Sequence, residues 1–193
     1  MVEGIENDAT VLVVDDEPDV ADVYALRLRG RFDTRTAYGG REALEAVDDE
    51  VDVVLLDRRM PVVSGDEVLE TIRDREVDPA VVMVTAVTPD LTVLDMPFDD
   101  YLCKPIDSES LVETVEKQLE TAAHDEALDE FFRLASKLIL LDQELSRTEL
   151  EDSEQFQRVK RRTVELRERL RAEMEDFDEV AQRFLDLNRI ERA

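Results

Sequence analysis

Five side chains that could do chemistry together stand at the ends of short apolar runs. They are Asp15 and Asp16 after "TVLVV", Asp57 at the end of "VDVVLLD", Thr85 at the end of "AVVMVT", and Lys104 at the end of "DYLCK". Three carboxylates that converge repel one another unless a cation lies among them, and Mg²⁺ prefers such oxygen ligands. A hydroxyl and an ammonium beside the metal can hold an anion. With an Asp able to act as nucleophile, this set of groups predicts an acyl phosphate.

The elements needed to bring these groups together are five strands that alternate with helices. The central runs, such as 51–57, are continuously apolar, which is typical of strands buried on both faces of a parallel sheet. "RFDTRTA" is expected to be an edge strand. A capping box of Ser64 and Glu67 predicts a helix over 65–76, and Ser108 is expected to cap the last helix of this region. Because ligands bind outside the carboxyl ends of the strands in such sheets, we expect the chemical groups at one edge.

The sequence resembles the receiver domains of two-component response regulators over about residues 9–122. The matching stretches are "VVDDEP", "LLDRRMPVVSG", "VTA" and "DYLCKP", in the order and approximate spacing of that family. Each stretch alone is a weak match, whereas the four together are highly specific. The resemblance implies a flavodoxin-like α/β fold, with a doubly wound parallel sheet of five strands in the order 2-1-3-4-5. It also implies a phosphorelay protein rather than an enzyme.

The resemblance further implies a role for each acid at the sheet edge. Asp57 would accept a phosphoryl group from the phosphohistidine of a partner histidine kinase. Asp16 would ligate Mg²⁺ directly, together with Asp57 and the backbone carbonyl of Arg59. Asp15 would help to hold the metal through water.

The remaining residues of the matching stretches would sense the phosphoryl group. By resemblance, Thr85 and Lys104 would bind its oxygens, and Tyr101 stands where the family has its switch aromatic. The Lys104–Pro105 bond would be cis, as is usual in the family.

Each of these residues also has a plain structural alternative. Asp15 or Asp16 could cap a helix, and Asp57 could be a solvated strand end. Thr85 could be an ordinary β-branched strand residue, and Tyr101 could serve packing alone. The joint occurrence of the complete set favours the functional interpretation.

The stretch between Thr85 and Lys104 is a few residues shorter than is usual in the family. Pro89 and Pro97 bracket it, so the helix expected there should be short or irregular. Many receivers dimerise through the surface that includes this helix, which puts that mode of dimerisation in doubt for this chain.

The tail at 125–193 is predicted to be almost wholly helical, since the chain has no Gly or Pro after Pro105. Two apolar stripes predict helices that need partners. The first is Leu134, Leu138, Leu141 and Leu145, and the second is Val159, Thr163, Leu166, Leu170, Met174 and Phe177, continued by Val180, Phe184 and Leu187. Between them, Thr148 or Ser153 could cap the second helix. We expect an antiparallel hairpin or coiled coil that follows the preceding helix without a break, and a homodimer through these helices.

A basic stretch at 158–171 holds seven basic and two acidic residues. It could contact nucleic acid, or it could be a helix flank paired with acidic neighbours such as "DEALDE". The second interpretation is favoured, because no helix-turn-helix signature is visible and high salt weakens phosphate contacts. The tail resembles the HalX-type domain that follows receivers in halophilic archaea, which implies a regulatory task and leaves DNA binding unproven.

The composition indicates the salt conditions and the cellular compartment in which such a protein works. Fifty acidic and 24 basic residues give a net charge of −26, and this favours adaptation to high salt over an ordinary acidic protein. The N-terminus lacks an apolar signal core and no apolar run could span a bilayer, so a cytoplasmic protein without membrane contact is expected. The single cysteine, Cys103, is expected to be a small buried residue, and His124 to be solvated.

Two other functions could use a similar set of residues. An Mg²⁺-dependent phosphatase with an Asp nucleophile usually carries a second Asp two residues later, where this chain has Arg59. A scaffold that never takes phosphate would not need the complete set of acids, Thr and Lys.

Overall fold

A computed structural model describes residues 9–121 and 126–190 of the 193-residue chain. The chain divides into two compact units. The first, called the sheet unit, contains the residues up to Val87 together with Pro97–Glu120. The second, called the helical unit, contains Thr88–Met96 together with the residues from Thr121 onwards.

The sheet unit is built on five parallel strands. They are β1 (Thr10–Val14), β2 (Asp33–Ala37), β3 (Val53–Asp57), β4 (Ala80–Thr85) and β5 (Asp100–Cys103). Their spatial order is β2-β1-β3-β4-β5, with every neighbouring pair parallel. This confirms the predicted α/β fold and strand order, with "RFDTRTA" at one edge of the sheet.

Three helices connect strands of this unit, and a fourth follows β5. They are α1 (Pro18–Leu28), α2 (Gly40–Ala46), α3 (Gly65–Arg73) and α4 (Ser108–Thr121). Alternate strand residues, among them Val11, Val13 and Leu55, form one core cluster with α1 and α4. The strand residues between them point to the opposite face and are buried as well, so the sheet is covered on both sides. This double burial explains why the central strands are continuously apolar.

Caps at the helix starts test two details of the sequence prediction. Ser64 accepts a hydrogen bond from the Glu67 amide while the Glu67 carboxylate accepts one from the Ser64 amide, so the predicted capping box is confirmed. The prediction of Ser108 as a cap is wrong. The carboxylate of Asp107 accepts hydrogen bonds from the amides of Glu109 and Ser110, both at 2.9 Å, and Ser108 is already helical.

The connection between β4 and β5 contains no α-helix. A single 3₁₀ turn at Leu91–Leu94 stands there, capped by the side chain of Asp90, as the short Pro-bracketed stretch predicted. Its core residues Val93 and Leu94 are buried within the helical unit.

The described part of the tail forms four helices. They are α5 (Glu126–Glu144), α6 (Arg147–Asp152), α7 (Glu154–Glu173) and α8 (Phe177–Ile190). The first half of α5 packs on the second half of α7, for example Phe131 and Phe132 near Leu166 and Leu170, so these two helices are antiparallel. Phe177 at the start of α8 completes the same core.

The tail corrects the predicted helical hairpin in three respects. The hairpin of α5 and α7 is present, but the backbone becomes extended at Met174 and α8 starts afresh at Phe177. Ser153 caps α7 as expected, whereas Thr148 caps nothing and Ser146 forms an unforeseen capping box at the start of α6.

The apolar stripe predicted for α5 is displaced around the helix. Of its four leucines only Leu141 is fully buried, and the buried face instead contains Phe131, Phe132, Ala135 and Lys137. Periodicity places a helical face only approximately, and it assigns a lysine to solvent by default.

Two expectations concern residues outside the described ranges. The continuous passage from α4 into the first tail helix falls on residues 122–125, and His124 lies in the same gap. Within the parts of the chain that the structure does describe, no helix is both long and apolar enough to cross a membrane.

Candidate functional site

The predicted chemical groups meet at the carboxyl edge of the sheet. Asp15 follows β1, Asp57 is the last residue of β3, and Thr85 is the last residue of β4. Lys104 follows β5, whose last residue pairs with Thr85. Because β1, β3, β4 and β5 lie side by side in parallel, their carboxyl ends are brought to one edge.

The centre of this edge is an ammonium group between two carboxylates. The Lys104 Nζ lies 2.5 Å from Asp15 Oδ2 and 2.8 Å from Asp57 Oδ1. The two acids are almost fully buried, with 2% and 6% of their surface exposed. Buried like charges so close together need a cation, and here Lys104 supplies it.

Burial dominates the protonation behaviour of Asp57. Loss of solvent raises the pKa of its carboxyl above the ordinary value of 3.8, and the hydrogen bond and positive charge of Lys104 offset only part of this rise. For Lys104, burial pulls the pKa down, but the hydrogen bonds to Asp15 and Asp57 outweigh it and the pKa is raised. The lysine therefore keeps its charge across the neutral range.

Backbone groups hold both acids in place. Asp57 Oδ2 accepts a hydrogen bond of 3.0 Å from the Arg59 amide, and Asp15 Oδ1 accepts one of 3.0 Å from the Glu17 amide. These bonds occupy one oxygen of each carboxylate and leave the other facing Lys104. Neither acid caps α1, whose N-cap residue Glu17 makes no side-chain cap, so the capping alternative is not realised.

The start of α3 is pressed against the backbone of the candidate nucleophile. The Gly65 amide donates to the Arg58 carbonyl at 2.9 Å. A Cβ atom on Gly65 would stand 2.2 Å from the backbone oxygen of Asp57 and 2.8 Å from the Cα of Arg58. Only a residue without a side chain fits at this close approach.

The donor chemistry at the edge suits Mg²⁺. Asp16 is half-buried, and its carboxylate makes no hydrogen bond to any residue that the structure describes. With Asp15, Asp57 and the Arg59 carbonyl it offers only hard oxygen donors, the kind that Mg²⁺ prefers. As they stand, no three acidic, His or Cys side chains among the described residues are grouped closely enough to hold a metal, and the Lys104 ammonium lies where two of the carboxylates point. Lys104 therefore competes with a metal ion for one oxygen of Asp15 and one of Asp57.

Thr85 and Tyr101 meet at a shared backbone partner. The Val87 amide donates to Thr85 Oγ1 at 3.2 Å, and the Tyr101 hydroxyl donates to the Val87 carbonyl at 2.8 Å. Tyr101 is 1% exposed, and burial raises its pKa to about 12. The Lys104–Pro105 bond is cis, as expected.

Two features of the site differ from expectation or were missed. Cys103 is exposed rather than buried, since its side chain points away from the sheet core at the end of the edge strand β5. Arg58 was not singled out, although its guanidinium pairs with Asp66 at 3.0 Å and carries positive charge close to the Tyr101 hydroxyl. Its place directly after the candidate nucleophile was the available signal.

The basic stretch of the tail lies on α7 and is only partly paired. Arg162 makes a bidentate pair with Glu130, at 2.8 and 2.7 Å, and Glu130 is one of the acids of "DEALDE". That contact agrees with the interpretation as a paired helix flank. Arg158, Arg161 and Arg167 are exposed and have no ion-pair partner among the described residues.

Family profiles match both parts of the chain. That of the response regulator receiver domain matches residues 11–116, and that of the HalX domain matches residues 120–187.

Curated relatives include a candidate transcriptional regulator of Haloferax volcanii. It is 53% identical over 133 residues, which is 68% of this chain and 23% of that protein. The DNA-binding response regulator MtrA of Mycolicibacterium smegmatis is 39% identical over 56% of this chain and 50% of its own length. The chain thus spans half or less of the length of these relatives.

Solved structures of receiver domains and response regulators match more than half of the chain. The response regulator TrrA of Thermotoga maritima, in complex with Mg²⁺ and BeF, is 32% identical with a TM-score of 0.51 and covers 57% of this chain and 98% of that one. The BeF₃-activated receiver domain of DrrB is 27% identical with a TM-score of 0.55, over 59% and 99%. From the profile matches, the sheet and the helical tail together, the chain belongs to the response regulators, with a receiver domain followed by a HalX domain.

Proposed function

We propose that this protein accepts a phosphoryl group on Asp57 from a histidine kinase and signals its phosphorylation state through the helical unit. The observation that carries the proposal is the pairing of Lys104 with the buried Asp15 and Asp57 at the sheet edge. Such a cluster costs stability for a fold that uses it only for structure, which favours a chemical role.

The reaction transfers a phosphoryl group from a histidine nitrogen of the kinase to a carboxylate oxygen of Asp57. A carboxylate oxygen of Asp57 attacks phosphorus, an O–P bond forms, and the P–N bond to the kinase histidine breaks. The imidazole leaves and takes up a proton, and Asp57 becomes an acyl phosphate. When bound, Mg²⁺ would neutralise charge that develops on the phosphoryl oxygens.

Each residue of the edge has a distinct task in this proposal. Asp16, Asp57 and the Arg59 carbonyl would hold the metal, with Asp15 acting through water. The Lys104 ammonium would exchange its carboxylate partners for an oxygen of the phosphoryl group on Asp57. The Thr85 hydroxyl donates to another of these oxygens.

The test is chemical labelling of the full-length chain. With acetyl phosphate and Mg²⁺, mass spectrometry should find one added phosphoryl group, and Asp57→Asn should abolish it. The matched control Asp33→Asn removes an exposed acid at the start of β2 and should label normally. Chelation of the metal should stop labelling, since the acids would then repel the incoming phosphate. Unchanged labelling of Asp57→Asn would overturn the assignment.

A phosphatase is the rival that the same experiment can separate. It would turn over a phosphomonoester continuously, whereas the receiver should take one phosphoryl group and stop. Arg59 offers no general acid or base at the position where such enzymes usually have an Asp, which supports the receiver.

The output assigned to the tail is transcriptional regulation, in line with the names of the relatives from Haloferax and Mycolicibacterium. We place the receiver domain at 9–122, the output domain at 125–193 and the whole protein in the cytoplasm with its kinase. DNA contact would use the exposed arginines of α7, and Arg161→Glu with Arg162→Glu should then remove any DNA affinity.

One argument for a homodimer through the tail is weakened by the structure. The second apolar stripe, expected to need a partner chain, packs against α5 within one copy. Sedimentation of the full-length protein against a chain ending at Ala123 decides, and two monomers would refute a tail-mediated dimer.

A further inference from the structure

We infer that the segment Thr88–Met96 carries the state of the phosphorylation site into the helical unit, with Lys137 as the positioning residue that anchors its far end. The segment connects β4 to β5, yet its contacts make it part of the helical unit. The inference rests on the proposed function, because the signal is phosphorylation of Asp57, and it concerns how that signal reaches the helical unit.

The near end of the segment is held by the switch residues. Val87 immediately precedes it, and both of its backbone polar groups are bonded to the sheet unit, to Thr85 Oγ1 and to the Tyr101 hydroxyl. Movement of Oγ1 towards a phosphoryl oxygen on Asp57 either breaks the bond to the Val87 amide or draws Val87 along. In both cases the backbone entering the segment changes.

The middle of the segment is packed into the helical unit. The 3₁₀ turn at Leu91–Leu94 contacts both α5 and α7, and Val93 is fully buried. Pro89 precedes the turn and the Asp90 carboxylate caps it by accepting a hydrogen bond of 2.9 Å from the Thr92 amide. A short, capped and buried turn has little slack in which to absorb a displacement of Val87.

The far end of the segment is fixed by a buried lysine of α5. Lys137 is 3% exposed and its ammonium donates a hydrogen bond to the backbone carbonyl of Met96, the last residue of the segment. A charged group is rarely buried without such partners, because desolvation is costly. Its placement on the inner face of α5 therefore has a specific use, which is to hold the returning chain.

Together these contacts make one continuous link with no linker at either end. Val87 belongs to the sheet unit and Thr88 to the helical unit, and Met96 is followed at once by Pro97 of the sheet unit. A shift of Val87 is thus passed through the turn to α5 and α7. It takes the form of a change between two packed arrangements, as is usual for coupling between distant sites.

The experiment is hydrogen exchange by mass spectrometry on the full-length protein, before and after labelling with acetyl phosphate and Mg²⁺. In the wild type, amides of 88–96 and of α5 should change their exchange rates together, by about five- to tenfold, a typical size for coupling between sites. Lys137→Met keeps the length and apolar stem but loses the donor. It should label at Asp57 as fully as the wild type and lose the change in α5 and α7.

Matched variants keep the outcome decisive. Lys160→Met removes an exposed lysine of α7 and should transmit normally, whereas Lys137→Gln retains an N–H donor and should restore part of the response. If Lys137→Met does not fold, Asp90→Ala loosens the turn from its exposed side and should weaken transmission in the same way.

Two results would overturn the inference alone. One is labelled wild-type protein in which the change stops before α5, and the other is a labelled Lys137→Met or Asp90→Ala that responds like the wild type. Failure of the wild type to take up a phosphoryl group, seen directly in its mass, would instead overturn the proposed function together with this mechanism.

Discussion

Both units of this protein have apolar cores, and they differ most clearly in the further groups that each buries. The sheet unit buries charge at its functional edge, where Asp15 and Lys104 are paired although 89 residues separate them. The helical unit buries aromatic rings, with Phe132 stacked on Phe184 at 4.2 Å and Phe131 edge-on to Phe177 at 5.2 Å between ring centroids. On the proposed function, the first unit gives up stability for a reactive site, while the second is built mainly for packing.

The chain provides separate signals for the two units. Its three tyrosines, Tyr24, Tyr38 and Tyr101, all belong to the sheet unit, and it has no tryptophan. Tyrosine fluorescence therefore reports unfolding of the sheet unit, whereas far-UV circular dichroism reports the helices of both.

The largest effect is expected from Phe177→Ala. Removing this fully buried ring from the core of the helical unit should cost about 3–5 kcal/mol. Circular dichroism should show early loss of helix while the tyrosine transition and the labelling of Asp57 are kept. Val164→Ala, on the exposed side of α7, should change stability by less than about 0.5 kcal/mol. A tyrosine transition that falls together with the helical signal would show that the units do not differ in the way described.

Salt should separate the units next. The sequence of the sheet unit, 1–87 with 97–120, carries a net charge of −18, and that of the helical unit, 88–96 with 121–193, carries −8. Repulsion between like charges therefore acts mainly in the sheet unit. Lowering the salt from molar to millimolar concentration lengthens the range of that repulsion. The midpoint of thermal unfolding measured by tyrosine fluorescence should therefore fall further than the midpoint measured by circular dichroism. Equal midpoints at both salt concentrations would contradict the comparison.

A smaller effect of opposite sign is expected from Asp57→Asn without metal. Since the folded-state pKa of Asp57 is raised above the ordinary value of 3.8, stability falls as the pH rises from 3.8 to the folded-state pKa, and the loss is complete above it. The substitution should therefore stabilise the sheet unit at neutral pH, by about 1–2 kcal/mol, as replacement of functional groups often does. The gain should vanish below pH 3.8, where Asp57 is protonated in both states. Destabilisation at neutral pH, measured by tyrosine fluorescence, would speak against the buried-charge account.

The smallest effects come from a device that both units share. Ser64 and Ser146 each begin a helix with a complete capping box. Replacing either serine by alanine should cost about 1 kcal/mol. Ser64→Ala should shift the tyrosine transition, and Ser146→Ala only the helical one. If each substitution shifted both transitions equally, the caps would not act locally.

Both the fold and the candidate site of the sheet unit could be predicted, because the strand topology places the candidate site residues. Continuous apolar runs identify the buried strands, and parallel strands bring their carboxyl ends to one edge, so residues distant in sequence could be placed together. The pairing of Lys104 with both acids could not be predicted, because it depends on side-chain reach and on burial of charge.

The helical unit was harder to predict because no topology fixes its elements. The break at Met174 has no Gly or Pro to announce it, and depends on how Phe177 enters the core. The buried Lys137 breaks the rule by which apolar periodicity locates a face. The inclusion of 88–96 in this unit depends on tertiary contacts between stretches that are far apart in sequence.

The close approach at Gly65 has a consequence for how this protein can vary. A methyl group there would collide with the backbone that bears the proposed phosphorylation site, so even alanine must push α3 away from β3. In a library of random substitutions, position 65 should therefore behave like a catalytic position: variants would lose labelling although every reactive group is still present. The activity therefore depends on the lack of a Cβ atom at position 65 as much as on the carboxylate of Asp57.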